Sequence, residues 1–155
     1  QVNMRKRTFP ASAPENRCFS KDKNVAVYAM IDSDDTYMLK AQIHELSAYV
    51  SAHPDFEGWN IVIYQDSDSF SKAGVRPQLE QLISDIRDGK VQCVIVKNLS
   101  RISRDLVSLM YYIEKIFLRY KVRLISLTEN LDTTNPDIVA MLHDHMEAIT
   151  ERKQP

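Results

Sequence analysis

Two arginines, Arg101 and Arg104, sit three apart in the stretch Lys97-Asn98-Leu99-Ser100-Arg101-Ile102-Ser103-Arg104-Asp105. The residues before them, Val91-Gln92-Cys93-Val94-Ile95-Val96, form a short run rich in β-branched side chains, the pattern of a buried strand. The residues after them place Leu106, Leu109, Met110, Ile113, Ile116, Phe117 and Tyr120 at the spacing of a helix with one apolar face. The pair therefore falls where a strand hands over to a helix, the edge at which open α/β sheets collect ligands. Backbone N–H groups and two guanidinium forks at such a turn can converge on one phosphate. Two solvated arginines would give the same spacing.

The surrounding elements repeat this arrangement. Val25-Ala26-Val27-Tyr28-Ala29-Met30-Ile31 is an almost continuous apolar run and predicts a central strand. Leu39, Ile43, Leu46 and Val50 then follow at helical spacing, ending near His53-Pro54. Trp59-Asn60-Ile61-Val62-Ile63-Tyr64 predicts the second strand, and the polar residues 65–75 predict a mobile loop. Pro77 opens a helix through Leu79, Leu82, Ile83 and Ile86 that Gly89 can close. Val122-Arg123-Leu124-Ile125-Ser126-Leu127 predicts a fourth strand, and Ile138, Met141, Leu142, Met146 and Ile149 a last helix. Strands alternating with helices imply an α/β fold, a mainly parallel four- to five-stranded sheet flanked by helices. Residues 1–23, with two prolines and a basic Arg5-Lys6-Arg7 cluster, read as a flexible leader. Residues 24–135 read as the α/β domain, and 136–155 as the start of a C-terminal dimerisation or linker helix.

Charge and composition narrow the classes. A chain of 155 residues suits one domain with a proper core. A formal net charge of −1 argues against strong nonspecific nucleic-acid binding by this segment alone. No apolar run approaches the length of a membrane span. Cys18 in a polar leader and Cys93 in an apolar strand make no disulfide framework, which favours a reducing, cytoplasmic setting.

Taken in order, Tyr28, Gln42, Asp66, Arg76-Pro77, the Leu99-Ser100-Arg101-Ile102-Ser103-Arg104 segment and Asp132-Thr133 resemble the catalytic domain of the serine recombinases, the resolvase, invertase and large integrase group, from about residue 25 to 152. The resemblance implies a site-specific DNA recombinase, of the kind carried by mobile genetic elements, that resolves, inverts or integrates DNA. A serine hydroxyl after the first strand attacks a backbone phosphate and holds the broken end as a phosphoserine ester. Arginines stabilise the developing charge, with no metal and no cofactor. Arg76, Arg101 and Arg104 fall at matching arginine positions. Tyr28, Gln42, Asp66 and Ser100 fall at structural or orienting ones. It also implies a homodimer, possible assembly to a tetramer during exchange, and DNA recognition by a region that this chain does not contain.

The first strand departs from the family pattern. Family members read Tyr-x-Arg-x-Ser, whereas this chain reads Tyr28-Ala29-Met30-Ile31-Asp32. Met30 stands in place of the arginine and Asp32 in place of the nucleophile. A carboxylate facing a phosphate adds repulsion of about 1 kcal/mol in water and about 4 kcal/mol at an effective dielectric of 20. The lost arginine removes charge-assisted bonds of about 1.5–3 kcal/mol each. Both changes impair the site. Ser33 is the alternative nucleophile, because its separation from Gln42 matches the serine-to-glutamine spacing of the small resolvases.

Two other readings stay open. Asp32, Asp34 and Asp35 could hold Mg²⁺ in a receiver- or phosphatase-like α/β domain, with Lys97 and Ser126 as partners. The domain could instead be a non-catalytic, recombinase-like assembly module. His143 and His145 are two apart on a helix and do not face one another, and His145 reads as a packing residue beside the apolar stripe.

Overall fold

The computed structural model describes residues 17–67 and 75–153, with side chains as far as Ala148. The Arg5-Lys6-Arg7 cluster, residues 68–74 of the expected mobile loop and the Ile149 side chain lie outside the described residues. Five strands form one sheet in the order β2-β1-β3-β4-β5. They are β1 (Asn24–Ile31), β2 (Asn60–Ser67), β3 (Cys93–Val96), β4 (Arg123–Ser126) and the two-residue β5 (Leu131–Asp132). The first four pair in parallel, and β5 runs antiparallel to β4. This is the mainly parallel α/β sheet that the alternating pattern predicts.

Every residue of β1 is buried, because it is flanked by β2 and β3 and covered on both faces. Its period-2 alternation divides the core in two. Val25, Val27, Ala29 and Ile31 pack under helix α1 (Thr36–Ala52) through Leu39, Leu46 and Val50. Ala26, Tyr28 and Met30 face the opposite side, under α2 (Pro77–Arg87) and α3 (Leu106–Tyr112). Each fully buried Leu or Ile in these layers contributes about 1.5–3 kcal/mol.

Three boundaries differ from the sequence expectation. β2 continues through Gln65 and Asp66 to Ser67, where polarity predicts a loop. The physical reason is Asp66, a fully buried carboxylate whose partners are supplied by other elements. The helix expected from Leu106 to Tyr120 is α-helical only to Tyr112 and continues as a π-helical segment, Ile113–Leu118. The wider turn keeps Ile113, Ile116 and Phe117 buried, while Leu106 and Tyr120 at the two ends stand exposed. Packing also begins before Asn24. Phe19 lies against the core, the Cys18 carbonyl accepts from Asn60 Nδ2 at 2.8 Å, and the Arg17 guanidinium stacks 4.2 Å over the Tyr64 ring.

The last helix, α4 (Pro136–Lys153), lies against α3, so its apolar stripe is only partly free. Leu142 is buried, and Ile138 and Met146 are half-buried against the domain's own core. Met141 remains exposed. His145 is exposed rather than packed, and His143 Nδ1 lies 3.3 Å from Glu114 Oε1.

Candidate active site

The carboxyl ends of β1 and β3 are neighbours, so the residues following each strand share one edge of the sheet. From β1 come Asp32, Ser33 and Asp35, and Asp35 Oδ1 caps α1 by accepting from the Tyr37 and Met38 amides at 3.0 and 3.2 Å. From β3 comes a single 3-10 turn, Leu99–Arg101, followed by the Asp105-capped start of α3.

Beneath this edge lies a buried polar layer. Tyr28 donates its hydroxyl to Asp66 Oδ2 at 2.8 Å. The same carboxylate accepts from the Gln78 and Leu79 amides at 3.1 and 3.0 Å, so a strand residue caps the N-terminus of α2. Pro77 occupies the first turn of that helix, where a missing N–H costs nothing. Burial, and then the adjacent Asp66 carboxylate, push the Tyr28 hydroxyl far above its ordinary pKa, so it stays a neutral donor. Gln42 reaches from α1 to accept from the Met30 amide at 2.9 Å and fixes the end of β1. The Met30 side chain is itself buried in the core, so β1 offers no cation to the edge above.

At the surface, Arg104 donates to Asp32 in an ion pair between two half-exposed side chains. Asp32, Ser33, Gln42, Lys97 and Arg101 line one cleft of about 340 Å³. Ser33 Oγ accepts from the Asp35 amide at 3.3 Å. Lys97 is held by Glu45 at 2.8 Å on the cleft wall. Arg101 Nε is buried and has no hydrogen-bond partner among the described residues.

Arg76 lies on the inner side of the turn. Its Nη1 donates to the Arg101 carbonyl and, at 3.0 Å, to the Ile102 carbonyl. Ser100 Oγ donates to Asn98 Oδ1 at 2.5 Å and stays within its own turn. The structure thus brings Asp32, Ser33, Gln42 and Arg101 to one cleft and ties Arg104 to it through Asp32. Arg76, Tyr28 and Asp66 sit one layer below. The aspartates at the end of β1 diverge, with Asp32 on Arg104 and Asp35 on α1, while Lys97 and Ser126 are taken up by Glu45 and Glu129. Among the described residues no group of three or more potential metal ligands converges. Glu129 also reaches the edge, accepting from the Leu99 amide 30 residues away, and nothing local in the sequence marks it.

The comparisons agree with this fold. The family model for the resolvase N-terminal domain matches residues 27–154. The N-terminal catalytic domain of TP901-1 integrase is similar at 31% identity and a TM-score of 0.68, covering 84% of this chain and 96% of that one. A resolvase family site-specific recombinase from Streptococcus pneumoniae is similar at 25% identity and a TM-score of 0.63, covering 84% and 89%. The C-terminal catalytic domain of ISC1926 TnpA, an IS607-like serine recombinase, shares the fold at 23% identity and a TM-score of 0.53, over 67% and 70%. No curated protein matches the sequence significantly. With the parallel sheet, the buried Tyr28–Asp66 layer and the arginine-bearing turn all in place, the chain belongs to the resolvase N-terminal domain family and has the fold of site-specific recombinase catalytic domains.

Proposed function

We propose that this chain is the catalytic domain of a site-specific DNA recombinase whose strand-cleavage site is impaired by its own sequence. The Asp32–Arg104 ion pair is the observation that carries this reading. In a serine recombinase the position of Asp32 would hold the attacking hydroxyl, and Arg104 would face the scissile phosphate. Here a carboxylate takes that position and occupies the arginine. Arg101 supports the anion-site half of the reading, because its Nε is a buried donor beside the cleft with no partner among the described residues. A guanidinium in that position suits a phosphodiester oxygen.

Phosphoryl transfer requires an oxygen nucleophile in line with the leaving sugar oxygen and fixed positive charge around the phosphorus. Arg101 and Arg104 supply charge, and Arg76 holds the main chain that carries Arg101. The family's Tyr-x-Arg-x-Ser arginine has no counterpart, because Met30 is buried in the core. Ser33 favours a second reading. It lines the same cleft as Arg101 and directly follows the family's nucleophile position in sequence, so a shifted serine could attack. In a third reading the domain serves assembly alone.

DNA is the proposed substrate, recognised by a region outside this chain. A homodimer, with a tetramer during exchange, is the proposed assembly, and exposed Met141 on α4 is available to such a contact. Among the described residues no helix is long and apolar enough to cross a membrane, and a cytoplasmic setting is proposed. Titration with inorganic phosphate or sulfate tests the anion site. Binding should fall on Arg101→Ala and Arg104→Ala, and Arg101→Lys should lose more than an equal charge suggests. Equal binding by both alanine variants contradicts the placement.

A further inference from the structure

The turn Leu99–Arg101 is held at both ends by charged side chains from other elements, and only one of these lies at a family arginine position. We infer that Glu129 is a positioning residue: its carboxylate clamps the amide end of this turn while Arg76 clamps the carbonyl end, and together they fix where Arg101 and Arg104 project. The consequence for anion binding rests on the functional reading above, whereas the clamp itself does not.

The turn cannot cap itself. Asn98, which precedes it in an extended conformation (φ −153°, ψ 165°), makes no side-chain bond to the turn's amides and instead accepts from Ser100 Oγ. The Leu99 amide therefore needs an outside acceptor, and both oxygens of Glu129 reach it, at 3.3 and 3.2 Å. Within the turn, Arg101 N–H donates to the Asn98 carbonyl at 3.1 Å and Ile102 N–H to the Leu99 carbonyl at 3.0 Å. The Arg101 and Ile102 carbonyls then point out of the far end, where Arg76 takes both. A carboxylate at the amide end and a guanidinium at the carbonyl end match the direction of the peptide dipoles.

Glu129 is itself held in place from three directions. Ser126, fully buried at the end of β4, donates its hydroxyl to the Glu129 carboxylate. The turn after β4 is tied to the end of β3 by Leu127 N–H to the Val96 carbonyl at 3.1 Å and Thr128 N–H to the Lys97 carbonyl at 2.9 Å. Asn130 then adopts φ +55°, a left-handed conformation that asparagine tolerates, and closes the turn by donating to the Leu127 carbonyl at 3.1 Å. Glu129 is exposed, and these bonds hold its carboxylate at the sheet edge.

The test is residue-resolved amide hydrogen exchange with backbone order parameters by NMR, on the wild-type chain, Glu129→Ala, Glu129→Gln and Arg76→Ala. Losing a hydrogen bond to a charged group should speed exchange at Leu99, Arg101, Ile102 and Ser103 by about tenfold in Glu129→Ala, with β1 and β3 amides unchanged. Glu129→Gln keeps an acceptor oxygen and should show the smaller effect, and Arg76→Ala should loosen the same turn from its other end. Unchanged exchange and order in Glu129→Ala would overturn the clamp. So would acceleration spread evenly through the sheet, which signals general destabilisation. A phosphate titration of the same variants separates the two ideas. Loss of turn order without any phosphate binding by wild type would keep the clamp and contradict the anion site. Tight phosphate binding with an undisturbed turn in Glu129→Ala would do the reverse.

Discussion

Asp32 and Arg104, 72 residues apart in the chain, meet as an ion pair across the carboxyl ends of β1 and β3. The contact joins the position where the family pattern has a nucleophile to an arginine of the segment that follows β3. It satisfies Arg104 internally with an oxygen anion, as a phosphate would externally. The pair is half-exposed, so its contribution is small and an incoming anion can compete with it.

Asp32→Asn should therefore increase affinity for inorganic phosphate. Releasing an exposed pair corresponds to a gain of about two- to fivefold. Isothermal titration at low ionic strength should show it, and the gain should shrink as salt is added. An unchanged or weaker affinity would mean that Arg104 does not contribute to the anion site.

The buried Tyr28–Asp66 contact should matter for stability. Tyr28→Phe removes the donor at 2.8 Å and should cost about 1–3 kcal/mol in urea unfolding. Asp66→Ala should cost more, because the Gln78 and Leu79 amides lose their acceptor as well. Equal losses from the two substitutions would show that Asp66 does not cap α2.

Acid sensitivity should come in part from Asp132. Burial alone would raise its pKa. The Arg123 fork, at 3.0 and 2.8 Å, together with the Thr134 amide and hydroxyl, outweighs this and lowers it from 3.8 to about 2. A carboxyl whose folded pKa lies below its unfolded value stabilises the fold above the unfolded pKa, and that stability is lost as pH falls from about 4 towards about 2. Urea midpoints measured across this window should decline in the wild type and flatten in Asp132→Asn. A parallel decline in both would assign the effect to other carboxyls.

The strands and helices of the domain were legible because their signals are local. The apolar run from Val25 to Ile31 and the helical spacing of Leu39, Leu46 and Val50 need no distant partner to be read. Asp66 was legible as a family position but not as part of β2, since its burial depends on Tyr28 and on amides of α2. The pairing of Leu131 and Asp132 with β4 is too short to leave a pattern. The site was legible as a set of arginines but not in its wiring. Spacing places Arg101 and Arg104 at one edge and the resemblance adds Arg76, yet neither shows that Arg76 binds main-chain carbonyls or that Arg104 is already paired. Glu129 left no signal, because its role depends on a turn 30 residues away.

The most direct test of an impaired cleavage site is trapping of a covalent protein–DNA adduct, with the domain joined to a DNA-binding domain and presented with that domain's cognate site. No adduct is expected from the unmodified sequence, and adduct formation is expected from the Met30→Arg, Asp32→Ser double variant, in which the missing cation and hydroxyl are restored beside Arg101 and Arg104. An adduct formed by the unmodified sequence and abolished by Ser33→Ala would contradict an impaired site and establish Ser33 as a shifted, working nucleophile.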